Sequence, residues 1–241
     1  MATMTYLQLC QRVAKECGVS TNTTVPSTIT AQTGILGDIV NWVATAWEEI
    51  QARHQNWRWM RSRFSVSATV GDDSYAYGDC TDDIASAAIS RFRRWWPLDD
   101  QGYNNAKIYL TSAGVGTENW LRFIPYASFR SIYKIGTQTN GYPAFITVDP
   151  QNNLLLGPAP DGTYTVSGEY QRGGLALDDD NDTPDLPADF HMLIVWRAAQ
   201  KYGEFKSAPE VFSRAVRTGN ILMRQLELDQ LPPMATAGPL A

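Results

Sequence analysis

Cysteine and histidine are scarce in this sequence of 241 residues, which contains three cysteines and two histidines. The odd count and the lack of a C-x-x-C pair argue against a disulfide framework, so we expect Cys10, Cys17 and Cys80 to be reduced and buried. Neither His54 nor His191 has a second histidine or cysteine at ligand spacing, which argues against a zinc site. We therefore predict that the protein holds no metal and no cofactor.

Long apolar runs and strong charge are also missing. No stretch of the sequence approaches the ~20 apolar residues that span a bilayer. The start of the chain, MATMTYLQLCQRV, lacks the charged region and the long apolar region of a secretory signal. The formal net charge is −5, and an acidic excess argues against bulk binding to nucleic acid, which needs clustered lysine and arginine. We expect a soluble protein that is made in a cytoplasm.

The motifs of common enzymes are absent too. The sequence has no G-x-S-x-G elbow, no Walker A loop and no dinucleotide fingerprint. The acidic run Asp178-Asp179-Asp180-Asn181-Asp182 lacks the glycine and the glutamate of an EF-hand loop. We expect this run to be a solvated loop that places negative charge near a helix N-terminus. The sequence thus predicts no catalytic residue and no enzymatic activity.

Both ends of the chain have helical periodicity. Thr5 and Gln8 have the spacing of a capping box, and Gly18 suits the left-handed end of the first helix. A second capping box is predicted from Ser207 and Glu210. The predicted helices near the chain ends cover approximately residues 6–17, 35–52, 187–202 and 209–231.

The central part of the sequence alternates with a period of two, which is typical of half-buried strands. The strand candidates are 64–70, 74–77, 91–96, 106–110, 119–124, 143–148, 153–156 and 163–171, and one short helix is expected near 127–135. Helices at both ends and strands between them favour an α+β fold, in which a helical bundle from the N- and C-terminal segments carries an inserted β-rich module of short antiparallel strands. The expected divisions are 1–63, 64–171, 172–231 and 232–241.

Aromatic residues are abundant, with 8 tryptophans, 11 tyrosines and 8 phenylalanines. Several lie in two arginine-rich stretches, Arg53–Arg63 and Arg91–Trp96. Such side chains pack in cores, form protein interfaces and stack on nucleic-acid bases, and the sequence leaves these three roles open. The candidates for a subunit or tail interface are Trp57, Arg58, Trp59, Arg93, Arg94, Trp95 and Trp96.

The C-terminal tail PPMATAGPLA is the second candidate interaction site. It carries no charge, whereas a disordered tail normally carries charge and little apolar content. Its prolines reduce the entropy that is lost when a segment binds a partner. We expect the tail and the end of the last helix to bind a partner or a neighbouring subunit through Leu226, Leu231, Pro232, Pro233, Met234, Pro239 and Leu240.

Short segments along nearly the whole chain resemble the head-to-tail adaptor (connector) proteins of tailed bacteriophages. They include Tyr6-Leu7-Gln8-Leu9, Val40-Asn41-Trp42-Val43, Ala46-Trp47-Glu48-Glu49-Ile50-Gln51, Leu154-Leu155-Leu156-Gly157-Pro158, Leu186-Pro187-Ala188-Asp189-Phe190-His191 and Gly238-Pro239-Leu240-Ala241. No single segment performs chemistry, and the resemblance lies in their order and spacing.

The resemblance implies a structural virion protein that forms a ring, usually of twelve copies, beneath the portal protein. Its partners would be the portal and a tail tube or nozzle protein, and genomic DNA would pass through the channel without sequence-specific binding. The C-terminal segment would face the portal, and the β-rich module, 64–171, would face the tail. Alternatives are another tail-tube or tail-completion component, or a carbohydrate-binding β module. In a ring, the abundant aromatic residues would serve as anchors between subunits.

Overall fold

A computed structural model describes residues 3–19 and 25–232 of the chain. The chain divides into two compact units. The helical unit combines the described residues of Met1–Trp59 and Gly174–Ala241, and the β unit is Met60–Gly173. The first unit is therefore built from two segments that are far apart in the sequence.

Four helices form the helical unit. They are α1 (Tyr6–Glu16), α2 (Gly34–Arg53), α4 (His191–Phe205) and α5 (Pro209–Gln230), whereas α3 (Tyr126–Tyr133) belongs to the β unit. Helix α4 is central, because α1, α2 and α5 all pack against it. Its buried residues include Leu193, Ile194 and Ala198, which lie on one face of the helix.

The start of α1 matches the expectation from the sequence. Thr5 and Gln8 form the predicted capping box, and Gly18 follows the helix with a φ of 68°. The acidic run lies against the N-terminal end of α1, because Tyr6 N–H donates to the carbonyl oxygen of Asp182 at 2.7 Å. Asp180 accepts a hydrogen bond from Ile29 N–H at 2.7 Å. The expected loop that places negative charge near a helix N-terminus is confirmed.

His191 is a structural residue at the start of α4. Its ring is fully buried, Nδ1 accepts a hydrogen bond from Met4 N–H at 3.0 Å, and Nε2 donates to the carbonyl oxygen of Leu186 at 3.0 Å. Burial lowers the pKa of His191 below its ordinary value. The neutral ring therefore ties the segment before α1 to the segment before α4.

The turn between α4 and α5 differs from its prediction. Helix α5 begins at Pro209 after Ala208, which makes no side-chain hydrogen bond to the helix, so the predicted capping box from Ser207 is wrong. Gly203 sits where the two helices approach most closely, and a Cβ on it would lie 2.9 Å from the Cα of Phe212. The tight turn thus depends on the missing side chain of Gly203.

Ten strands form the β unit together with α3. They are β1 (Arg61–Ala68), β2 (Ser74–Tyr75), β3 (Thr81–Asp82), β4 (Ala87–Ala88), β5 (Arg94–Trp96), β6 (Ala106–Leu110), β7 (Asn119–Phe123), β8 (Phe145–Val148), β9 (Leu154–Gly157) and β10 (Tyr164–Gln171). Their order is β2-β9-β8-β7-β6-β10-β1-β3-β4, with β5 also paired to β10. All pairs are antiparallel except β7 with β8.

The fold class expected from the sequence is wrong. The chain is a mixed α/β protein in which one curled sheet of nine to ten strands dominates, and the described residues form five helices; it is not a helical bundle with a small β insertion. Eight of the ten strands lie close to their predicted positions, whereas β3 and β4 were not predicted. The pairing joins all of them into one large sheet that includes a parallel pair. Segment 74–77 shows the difficulty, because β2 pairs with the distant β9 and not with β1, its neighbour in the sequence.

The interior of the β unit lies on one face of this sheet. Phe64, Val66 and Ala68 of β1 are buried, in the predicted alternation, and pack with Val166 and Tyr170 of β10. In the turn between β8 and β9, the Asp149 carboxylate accepts hydrogen bonds from the backbone N–H groups of residues 151 and 153.

A buried carboxylate stabilises the edge of the sheet. Asp82 accepts hydrogen bonds from the Tyr170 hydroxyl at 2.6 Å and the Ser62 hydroxyl at 3.0 Å, and from Ile84 N–H at 2.8 Å. Burial acts to raise the pKa of Asp82, but these hydrogen bonds outweigh it and hold the pKa below its ordinary value. The charged form of Asp82 thus connects β10 and β1 to the loop after β3.

Trp95 lies at the centre of the aromatic core. Its ring is 4.6 Å from that of Phe64 and 4.7 Å from that of Phe92, between centroids, and only 5% of the residue is exposed. The indole N–H donates to the carbonyl oxygen of Asn152 at 2.7 Å. Packing and hydrogen bonding within the chain therefore account for this side chain.

Replacing Gly203 by alanine is expected to lower the free energy of unfolding by about 1–3 kcal/mol, because the new Cβ overlaps the backbone of Phe212. Gly219→Ala is the matched control, since a Cβ there meets the Cβ of Trp196 at an ordinary 3.6 Å. Alanine in the interior of α5 should gain up to about 1 kcal/mol. Urea unfolding of both variants measures the difference, and equal stabilities would contradict the close approach.

Trp95→Ala should lower the free energy of unfolding by about 3–5 kcal/mol, because it leaves a cavity in the core of the β unit. The control is Trp120→Ala, since Trp120 is 58% exposed on β7 and should cost less than about 1 kcal/mol. Chemical denaturation of the isolated protein measures both effects. A Trp95→Ala variant as stable as the control would show that the ring is not a core residue.

Candidate interaction site

The first arginine-rich stretch closes the end of α2 with a cluster of tryptophans. Trp57 is fully buried, and its indole N–H donates to the carbonyl oxygen of Ile50 at 3.0 Å. Trp59 stacks on Trp47 with 5.4 Å between ring centroids. The Trp47 indole N–H in turn donates to the carbonyl oxygen of Leu175 at 2.8 Å. The Trp47 ring therefore links the two segments of the helical unit, and Trp59 packs against it.

Charged side chains join the same end of α2 to the end of α5. Glu227 Oε1 accepts from Arg53 Nε and lies 2.9 Å from His54 Nε2. Burial acts to raise the pKa of Glu227, but hydrogen bonds from His54 and Arg53 hold it below its ordinary value. Gln230 adds a hydrogen bond from Trp59 N–H at 3.1 Å. The C-terminal end of α5 is thus anchored within the helical unit.

In the second arginine-rich stretch, the indole ring of Trp96 contacts two guanidinium groups, one from each stretch. The Cζ atoms of Arg61 and Arg94 are 4.1 and 4.3 Å from the centroid of the Trp96 ring, and Trp96 is only 8% exposed. Burial and the neighbouring charges of Arg93 and Arg61 lower the pKa of Arg94. Arg61 also forms a 2.5 Å ion pair with Asp100. This stretch thus forms cation–π contacts within the β unit.

The interface candidates differ in how much of each side chain is exposed. Trp57, Trp95 and Trp96 are buried, so their rings offer no surface to a neighbouring subunit or to nucleic-acid bases in this conformation. Arg58 is exposed. Trp59, Arg93 and Arg94 are half-buried. A role of these four residues at a subunit or tail interface stays a prediction, whereas the buried rings have their partners inside the chain.

The portal-facing candidates also differ in their exposure. Leu226 is fully buried on the inner face of α5, so it is a core residue in this conformation. Leu231 and Pro232 are half-buried directly after the helix. The candidates Pro233, Met234, Pro239 and Leu240 lie outside the described residues. A role of the chain end in binding a partner therefore stays a prediction.

Helix α5 has a second, outward apolar stripe that the sequence analysis missed. Ile221 and Leu228 are 54% and 78% exposed, and Arg217 and Arg224 on the same face are exposed as well. We call these four residues, spaced i, i+4, i+7 and i+11, the α5 outer face. A helical wheel would have revealed it, because Ile221 and Leu228 lie opposite the buried positions such as Ala215.

Helix α2 has an outward face of opposite charge. Asp38, Asn41, Thr45 and Glu48 follow one another at helical spacing, and all are exposed except Asp38, which is half-buried. We call these residues the α2 outer face. Glu49 lies beside it and pairs with Lys201 at 2.6 Å. The face thus combines two carboxylates with two small polar side chains.

The outer face of the sheet carries an open polar groove of about 410 Å³. Trp120 is its one exposed tryptophan among the described residues, and Lys107 Nζ lies 4.8 Å from the centroid of that ring. Lys107 also pairs with Glu118 at 2.9 Å. The lysine occupies a ring face on which a sugar would stack, so the groove in this conformation does not favour the carbohydrate-binding alternative.

One end of the sheet exposes apolar side chains on its loops. Strands β1 and β6 end there, and β7 and β8 begin there, because β7 and β8 are parallel and the other pairs are antiparallel. Val70, Val115, Ile135 and Tyr142 in the adjoining loops are 59%, 71%, 63% and 42% exposed. We call this set the loop end of the β unit. Exposed apolar groups of this kind are typical of protein-binding surfaces.

The thiols of the three cysteines are shielded by burial. All three cysteines are free and buried, and burial raises the pKa of each thiol to about 12. Within residues 3–19 and 25–232, no group of three or more histidine, cysteine, aspartate or glutamate side chains could hold a metal ion. In the same residues, no helix is long and apolar enough to cross a membrane.

Comparison with known proteins identifies the family. The family model described as SU10 adaptor protein matches residues 4–235, which is nearly the whole chain. A comparison with curated proteins finds no match. The match confirms the resemblance to phage head-to-tail adaptors that the sequence indicated.

Proposed function

We propose that this chain, which belongs to the SU10 adaptor protein family of phage head-to-tail adaptors, forms a ring beneath the portal, joins the capsid to the tail and continues the DNA channel. The family match over residues 4–235 is the observation that carries the proposal. Membership of the family makes the chain a structural bacteriophage protein of the virion that interacts with portal and tail components. Such structural families are normally non-enzymatic.

The ring would contain twelve copies at the head–tail junction and would be assembled in the host cytoplasm. A ring is closed by heterologous contacts, in which each copy presents two different surfaces to its neighbours. The helical unit offers two such surfaces, the α5 outer face and the α2 outer face, which differ in charge. This difference supports a ring over a symmetric dimer.

The loop end of the β unit would contact the tail tube or nozzle protein. Its four exposed apolar side chains lie at the end of the sheet opposite to the start of β1 and the end of β10. The chain enters and leaves the β unit at that other end. An apolar contact made by three separate loops suits a protein partner.

Genomic DNA would pass through the channel without sequence-specific binding. The net charge of −5 disfavours tight contact with phosphates, which would hinder the movement of DNA. The indoles of Trp57, Trp95 and Trp96 are buried and cannot stack on bases in this conformation. These features support a channel that repels its cargo.

The C-terminal segment would bind the portal. Residues 232–241 carry no charge and follow directly on α5, whose end is anchored to Trp59 and Arg53. An uncharged, proline-containing segment loses little entropy on binding. The anchored helix end would fix the point at which this segment leaves the helical unit.

The proposal is tested by sedimentation of the purified chain with portal rings. We expect the chain to co-sediment with the portal at about twelve copies per ring and to recruit the tail partner. The chain alone can be a monomer without harm to the proposal, because assembly can need the portal as a template. Absence of co-sedimentation, even with the tail partner present, would refute it.

Deleting residues 232–241 should leave the fold intact, because these residues follow the last helix, but should weaken portal binding by about tenfold or more. The control is a full-length chain in which the same ten residues are shuffled, which keeps length and composition. Thermal unfolding checks the fold, and co-sedimentation with portal rings measures the binding. A truncated chain that still completes heads contradicts the portal-binding role of this segment.

A further inference from the structure

The α5 outer face has an apolar stripe that its own helical unit leaves uncovered. Ile221 and Leu228 lie two helical turns apart on one side of α5, and they are 54% and 78% exposed. The opposite side of the helix, with Ala215, Met223 and Leu226, packs into the unit. Helix α5 is therefore apolar on two sides, whereas one apolar side is enough for a surface helix.

Among the described residues, the arginines of this face have no partner of opposite charge. Arg217 and Arg224 are exposed, and neither forms a salt bridge with another of the described residues. Arg214, one turn before Arg217, is different, because it pairs with Glu16 at 3.6 Å and lies 5.3 Å from the centroid of the Trp196 ring. Two cations beside two apolar side chains fit an acidic partner surface.

The α2 outer face is such an acidic surface. Asp38 and Glu48 lie on it without a salt bridge to any described residue, and no lysine or arginine belongs to it. Asn41 and Thr45 between them are small enough to let a neighbouring helix approach. Helices α2 and α5 both pack on α4, so every copy presents the two faces from one core.

We propose that the α5 outer face of one copy packs against the α2 outer face of the next copy. This inference rests on the proposed ring. Two α5 outer faces would repel each other through their arginines, and two α2 outer faces through their carboxylates, so symmetric pairing is disfavoured. The contact between unlike faces leaves one free face of each kind, and repetition of it closes a ring.

A charge swap tests the contact in the full-length chain. The first variant combines Arg217→Glu with Arg224→Glu, and the second combines Asp38→Lys with Glu48→Lys. Each should lower the number of copies bound per portal ring by about tenfold, because like charges then meet across the contact. The variant with all four substitutions restores opposite charges and should bind within about threefold of the unaltered chain. Thermal unfolding shows whether each variant is folded.

The outcomes separate this inference from the proposed function. If the unaltered chain binds the portal and the first variant binds equally well, the contact is refuted and the adaptor function stands. If only the arginine variant is impaired, the α5 outer face binds an acidic surface of the portal, which overturns the subunit contact. If both double variants are impaired and the fourfold variant does not restore binding, the subunit contact is overturned as well. If the unaltered chain does not bind, both proposals fail.

Cross-linking gives a second measurement that does not depend on charge. Ile221→Cys and Thr45→Cys place one thiol on each outer face, and the natural thiols are buried with a pKa of about 12. A short bismaleimide should convert the double variant on portal rings into a ladder of covalent multimers. Ile221→Cys alone is the control and should give no ladder. Equal products from the two variants would refute the contact.

Discussion

The antiparallel pairing of β1 with β10 is the interaction on which the rest of the structure depends. It runs along all eight residues of each strand, from Arg61 opposite Gln171 to Ala68 opposite Tyr164. Because the pair brings residues 61 and 171 together, the chain leaves the β unit where it entered it. Only this return allows α4 and α5 to pack with α1 and α2, which precede the sheet in the sequence.

The abundance of tryptophan follows from this two-segment construction. Trp47 and Trp59 join the end of α2 to the loop and the helix that follow the sheet in the sequence. Trp95 and Trp96 do the same inside the β unit, where β5 pairs with β10. The buried aromatic residues thus stabilise contacts between distant segments of the chain.

The three proposed interaction surfaces lie on two helices and on the loops at one end of the sheet. Such positions suit a protein that is proposed to assemble through contacts with other proteins. The α5 and α2 outer faces differ in charge and belong to helices that share α4 as a neighbour. The loop end of the β unit adds a third surface with a different, apolar character. A chain that joins two components through copies of itself needs at least three such surfaces.

The sequence by itself determined the local elements and the family. The capping box at Thr5, the helical stripes and the turn at Asp149 depend on neighbours in the chain, so residue patterns reveal them. Only the tertiary structure decided how the strands join into one curled sheet and which aromatic residues are buried, because strand pairing links residues as distant as Ser62 and Tyr170. Pairing of that range is set by the global packing of the sheet, and no local pattern encodes it.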